Sequence, residues 1–287
     1  MTTTVRDGRE QPSPPGEADT GVALPHRIRR AGGAFYRQVG LPILGIVTTI
    51  GIWWWATWYF QIRTFWFPSP GDVANSLQNN AEHLLDQSRV TVYETLAGFG
   101  IGAGAGLLAA ALLAVSPALE RATLPLFIAL NAIPKVALAP LFLIWFGLDH
   151  APKIAMAASI CFFPIMIAAM AGLNSTPADL DELARSLSAS RRRAFFKIRV
   201  PWAMPQVFVG LKLGMTLAVI GAVVGQIARP SGGLGTVILL AQQHANTPQI
   251  FAAILLLTII SVALFYAVVL AERLLLPWTR ATATGRP

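Results

Sequence analysis

Six long apolar stretches organise the chain, at about residues 41–60, 90–115, 122–146, 153–174, 205–228 and 250–276. Each approaches or exceeds the roughly 20 residues that an α-helix needs to cross a hydrocarbon layer of about 30 Å. The pattern predicts an all-α membrane protein, a six-helix transmembrane bundle over residues 41–278. The polar segment between the fourth and fifth stretches has an order of its own. Leu180, Leu183, Ala184 and Leu187 recur at i, i+3, i+4 and i+7, the apolar stripe of a short amphipathic helix. Thr176 is placed to cap that helix, Pro177 to open it and Asp179 to complement its dipole. After a break near Ser188, Ala194, Phe195, Phe196 and Ile198 form a second short apolar segment, which Pro201 is expected to stop. A helix-turn-helix over 178–200, held at a membrane surface, is expected to dock another protein.

The flanks read differently. Residues 1–40 are rich in Arg, Pro, Gly and small polar residues, and are expected to form a disordered tail. A second short tail is expected over 279–287. The first apolar run begins only at Leu41 and is long enough to span, so no cleaved leader is expected.

Composition agrees with a membrane class: 54% of residues are hydrophobic, 13% are charged, and the mean hydropathy is +0.57. With both termini on one side, that side receives 16 basic residues, including Arg6, Arg9, Arg121 and the Arg185–Arg199 group. The other side receives four: Arg63, Arg89, Lys153 and Arg229. The positive-inside rule therefore makes both termini and the 178–200 loop cytoplasmic. The net charge of +8 follows this sidedness, so nucleic-acid binding is not expected.

Within the spans, Trp53, Trp54, Trp55, Trp58 and Trp66 read as an interfacial aromatic belt. Gly98, Gly102 and Gly106, with Gly100 and Gly104 alongside, give faces for close helix packing against a partner that the sequence leaves open. Pro134 and Pro140 interrupt the third span and free backbone carbonyls that must face protein or water. Lys135 lies about halfway along that span, with Asn131 one turn away and no carboxylate expected at its depth. A lysine there either snorkels or faces an aqueous path, where it would attract an anion. Lys212, nearer a span end, is expected to snorkel. Cys161 is the single cysteine and lies inside the fourth span, which leaves no disulfide framework and no thiol metal site.

Glu182, Leu183, Ala184, Ser188, Ile198, Val200 and Pro201 resemble, at preserved spacing, the EAA motif of bacterial ABC importer permeases. Ser188 stands where the motif has glycine, the residue best suited to a turn of positive φ. Phe67-Pro68-Ser69-Pro70, the run from Ile133 through Leu141 into Trp145-Phe146-Gly147, and Gly233-Leu234-Gly235 are similar to the nitrate, taurine and aliphatic-sulfonate branch. The likeness covers about residues 41–278, and Gln226 stands where that branch often has glutamate.

The resemblance implies one half of a permease pair, most simply a homodimer, in a bacterial inner membrane. Two cytoplasmic ATPases would grip the loop through Glu182, Ala184, Ser188, Phe195, Phe196, Ile198 and Pro201. An extracytoplasmic solute-binding protein would deliver a small anion such as nitrate, taurine or an alkanesulfonate, with a pyrimidine vitamin precursor also open. Asn131, Lys135 and Gln226 would line the path. The residues agree on one point: the chain has no Gly-x4-Gly-Lys-Ser/Thr phosphate loop. ATP would therefore belong to another subunit. The four histidines are scattered and no nucleophile–base pair stands out, so neither an enzyme nor a cofactor is expected. The alternatives are an ion-gradient-driven secondary transporter or channel, or a membrane subunit without a path. The first would usually carry internal repeats and intramembrane carboxylates.

Overall fold

A computed structural model describes residues 40–115 and 117–278, and among these every regular element is helical. The expected tails lie outside the described residues, apart from Gly40. The chain divides into two compact units, with the boundary after Ile52. It falls inside the first helix, α1 (Leu41–Tyr59), whose 19 residues give about 28 Å at 1.5 Å per residue. In the first unit, Thr48 and Thr49 donate their hydroxyls to the carbonyls of Leu44 and Gly45, so these polar side chains are satisfied within the helix.

The second unit opens with Trp53, which packs on Phe67 and Phe251 and donates its indole N–H to Pro68 O at 3.1 Å. Trp54, Trp55, Trp58 and Trp66 remain exposed, so the expected aromatic belt is four tryptophans with Trp53 turned inward. The Phe67–Pro70 motif has a mechanical role. Ser69 and Asp72 form a reciprocal capping box, and Pro70 opens α2 (Pro70–Asn79). Helix α3 (Ala81–Ala114) runs 34 residues, starting well before the predicted 90.

The third predicted span is not one helix. It comprises α4 (Pro117–Ala132), a 3-10 turn (Lys135–Leu138) and α5 (Ala139–Phe146), with an 81° bend between its halves. Pro134 causes the break: it has no N–H to donate and disfavours helical geometry at Ile133. Helix α6 (Ala151–Asn174) follows, and the docking segment holds α7 (Ala178–Ser186), α8 (Arg191–Ala194) and a π-helical turn (Phe195–Arg199). The π turn leads without interruption into α9 (Val200–Ala228), then α10 (Leu234–Gln243) and α11 (Thr247–Leu275). Pro201 therefore does not stop a helix. It comes just after the π turn, where the hydrogen-bond ladder changes spacing, and the helical run continues through it. Four described helices, α3, α6, α9 (with the residues before it from Arg192) and α11, are each long and apolar enough to span, and the bent pair makes a fifth.

Glycines place α6 at the centre of the second unit. A Cβ at Gly98 would run into Ala157, at Gly102 into Cys161, and at Gly106 would come within 2.9 Å of Phe162 O. On its other side, Cβ atoms at Gly221 and Gly225 would lie 2.6 Å and 2.8 Å from Ala157 Cα and Lys153 Cα. The partner left open by the sequence is thus α6 of the same chain, whereas Gly100 and Gly104 face open space. Such close approach removes voids and stiffens the α3–α6–α9 stack.

Candidate coupling and translocation site

The loop joining α6 to α9 is closed at its root, where Trp202 donates its indole N–H to Ser175 O at 3.1 Å. Nearby, Asn174 Nδ2 donates to Glu120 Oε1 at 2.9 Å and ties α6 to α4. Thr176, expected to cap α7, donates its hydroxyl to Leu173 O instead. Helix α7 ends as the motif requires. Ser188 takes φ +52°, and Ala189 N–H reaches back to Ala184 O at 3.0 Å, the six-to-one bond of a Schellman cap. Serine thus adopts the left-handed geometry for which glycine is the easier residue.

The apolar residues of the loop divide by direction. Ala184 is 4% exposed, and Phe195 packs on the base of the bundle against the cluster containing Leu113, Met170, Leu173, Ala203 and Val207. Phe196 stands with its ring edge-on to Phe195 and is 68% exposed, and Leu187, just after α7, is exposed as well. Glu182 is exposed, while Ile198 and Pro201 are half-buried. The arrangement can hold a partner's apolar pocket outside while gripping its own helices inside.

Lys135 sits at the bend of the third segment. Its Nζ donates to Asn131 O at 3.0 Å and Asn131 Oδ1 at 2.7 Å, and lies 5.1 Å from the centroid of the Phe163 ring. These partners are neutral: an amide, a carbonyl and an aromatic face hold the half-buried side chain.

Gln226 is fully buried and lies apart from that bend, in a polar cluster that the sequence reading missed. Its Nε2 donates to Glu94 Oε2 at 2.7 Å. Glu94 Oε1 meets Lys153 Nζ at 3.2 Å and His150 Nδ1 at 2.7 Å. Glu94 and Lys153 are both 0% exposed. Lys153 was expected at the outer end of the fourth span, and no acid was expected at mid-span. Glu94 falls within the second apolar stretch, and an ionisable residue there was the available signal. Lys212 also differs from expectation: rather than snorkelling alone, it pairs with Glu272 at 2.9 Å.

A family model for the binding-protein-dependent transport system inner membrane component matches residues 102–281. The chain belongs to that family. The permease is 35% identical over 227 residues to a "probable ABC transporter permease protein" of Haemophilus influenzae, covering 79% of this chain and 93% of the relative. It is 34% identical over 183 residues to the formylaminopyrimidine transport permease protein of Halalkalibacterium halodurans, covering 64% and 73%. It is 27% identical over 252 residues to the taurine transport system permease protein of Escherichia coli, covering 84% and 90%. Its fold matches a chain of the inward-facing MetNI methionine ABC transporter, with a TM-score of 0.58 at 20% identity, over 64% of this chain and 92% of that one. The architecture is that of a type I importer permease, a multi-pass membrane transport subunit.

Proposed function

We propose that this permease forms half of the translocation path of an ATP-driven importer and couples it to separate cytoplasmic ATPases through the 178–200 loop. The observation that carries this reading is the divided loop: within the π-helical turn Phe195 faces the permease's own base while Phe196 is turned outward. Both termini and the loop lie in the cytoplasm, consistent with the distribution of basic residues. A second copy of the chain completes the path, and an extracytoplasmic binding protein delivers the solute. ATP binding draws the ATPases together and moves the two loops, and each loop tilts its α6–α9 pair as a rigid body. Glu182, Ala184, Ser188, Phe195, Phe196, Ile198 and Pro201 serve that coupling.

The solute is a small anion of the nitrate, taurine or alkanesulfonate kind, drawn by Lys135 with Asn131 on the path. Gln226 acts on the path from its buried position. A second reading is a flat polar heterocycle. It is supported by the formylaminopyrimidine permease among the relatives and by the Phe163 ring beside Lys135. Proteoliposomes holding the permease with its ATPase and binding protein should take up labelled taurine or nitrate only when ATP is enclosed with the ATPase. Uptake of a labelled formylaminopyrimidine alone would select the second reading. Uptake driven by an ion gradient without the ATPase would overturn both.

A further inference from the structure

A buried charge is costly unless it is paired and its remaining hydrogen-bonding capacity is filled. The Glu94 cluster meets that condition by reaching into a neighbouring turn. Gln87, Thr91 and Glu94 lie at i, i+4 and i+7 on α3, one helical face. The first-turn amides of α10 come to this face and to α9. Gly233 N–H donates to Gln87 Oε1 at 2.6 Å, Leu234 N–H to Thr91 Oγ1 at 2.9 Å, and Gly235 N–H to Gln226 Oε1 at 2.8 Å. Lys153 Nζ, besides meeting Glu94, donates to Gly232 O at 3.1 Å. Amides that any helix leaves without intrahelical partners are therefore capped by side chains of α3 and α9. Gly232 and Gly233, at φ +142° and +97°, let the backbone turn inward, and a Cβ on Gly233 would strike the Gln226 amide.

The choice of glutamine follows from this geometry. Its amide donates on one side, to Glu94, and accepts on the other, from Gly235 N–H. A glutamate at 226 would set a second carboxylate against Glu94 where the amide now donates to it.

The cluster occupies a particular place along the helices. Lys153 and Gln226 stand at the ends of α6 and α9 remote from the loop, and α9 is about 43 Å long at 1.5 Å per residue. Glycine contacts hold these two helices together at Gly172, Gly210, Gly214, Gly221 and Gly225. Along its other side α10 helps to line a cavity of about 410 Å³ with His83, Leu240, His244 and Asn246 in its walls.

We propose that Glu94, Lys153 and Gln226 are positioning residues of the transport cycle, clamping α10 to the far ends of α3, α6 and α9 so that a tilt imposed at the loop is delivered to α10. This rests on the coupling role of the 178–200 loop. Glu94 supplies the charge that fixes the lysine and the glutamine, and Gln226 converts that fixation into a hold on α10.

The test uses the full transporter, permease with its ATPase, in nanodiscs. In a Cys161→Ala background, spin labels are placed at Gln242 on α10 and Tyr93 on α3, both exposed. A second preparation carries labels at Ser190 in the loop and Tyr93. Distances are measured without nucleotide and after trapping with ATP and vanadate. Trapping should shift both pairs in the wild-type chain. In Gln226→Glu and Glu94→Gln the Ser190 shift should persist while the Gln242 shift falls about threefold or more, and Glu94→Gln/Gln226→Glu should regain it by restoring one amide facing one carboxylate. Gln87→Leu, which leaves the charges intact, should cut the Gln242 shift to about half. A wild-type chain whose Ser190 pair does not move removes the coupling reading itself. Movement at Ser190 without movement at Gln242 removes this inference alone, as do single variants that keep the full Gln242 shift or an exchange variant that regains none of it.

Discussion

Two lysines separate two regions of this permease. In the α3–α6–α9 stack, Lys153 is fully buried and meets a carboxylate, Glu94, and a carbonyl, Gly232 O. In the bent segment, Lys135 is half-buried and its charge rests on an amide, a carbonyl and an aromatic face. The stack neutralises charge inside the protomer, and glycine contacts leave it little room. The segment broken at Pro134 leaves charge unneutralised, and the 178–200 loop likewise leaves apolar surface uncovered. A charge already neutralised serves assembly, while the proposed path relies on one that is not. The proposed coupling relies in the same way on exposed Phe196.

The comparison breaks most easily at its most buried point. Lys153→Met leaves Glu94 without its lysine in a fully enclosed site, and removal of one partner of a buried pair typically costs about 3–5 kcal/mol. The expected outcome is a sharp fall in folded protein recovered from membranes and in the thermal midpoint in detergent. Lys135→Met should leave both unchanged. Equal losses for the two variants would erase the distinction.

Phe196→Asp tests the outward side. The ring is mostly exposed, so the fold should survive, but a hot-spot contact to the ATPase worth about 2 kcal/mol or more should be lost. Co-purification of the ATPase and ATP-driven uptake should both fall while the permease inserts normally. Intact co-purification would remove Phe196 from the interface.

The packing difference can be sharpened within a single helix. Gly102 lies against Cys161 and Ala158 O, whereas Gly104 has nothing within 4 Å. Gly102→Ala should cost about 1–3 kcal/mol through overpacking. Gly104→Ala should cost nothing and gain several tenths of a kcal/mol from helix propensity, a gain of up to about 1 kcal/mol. Thermal unfolding of the two variants in the same detergent checks the sign of each.

Much of this was legible in the chain because the governing forces are local. Apolar run length announces a membrane helix, and all six predicted segments are helical. The Ser69–Asp72 capping box and the turn at Ser188 are short motifs closed by partners a few residues away in sequence. The Glu94 cluster was not legible, because Gln226 lies 132 residues away and only the fold brings the two together. Pro201 misled for a different reason: a proline usually ends a helix, but here the ladder changes spacing in the π turn just before it and the helix continues. The bend at Pro134 was readable as a break, but its 81° angle was not.

The effect on transport at the bend should be smaller than those on folding. Lys135→Met is expected to raise the anion concentration for half-maximal uptake several-fold, about 1 kcal/mol, with Lys135→Arg milder because it keeps the charge. Uptake kinetics of an anionic solute check this, and unchanged kinetics in Lys135→Met would return the lysine to a structural role.

The smallest predicted effect concerns one backbone angle. Ser188 holds φ +52° at the end of α7, a conformation that costs an L-residue other than glycine roughly 1 kcal/mol. Ser188→Gly removes that cost in the folded loop, though it also gives the unfolded chain more freedom to lose. The first term exceeds the second at a left-handed position, so the net gain should be about 0.5–1 kcal/mol. The cap it stabilises is read by the Ala189 N–H, which donates to Ala184 O only while the turn is closed. Hydrogen exchange at Ala189 should therefore slow by about two- to fivefold in Ser188→Gly. Ser188→Val, which adds β-branching at the same angle, should speed it. Exchange that is the same in all three chains would show that the turn is not closed by this residue, and the divided presentation of Phe195 and Phe196 would then need another support.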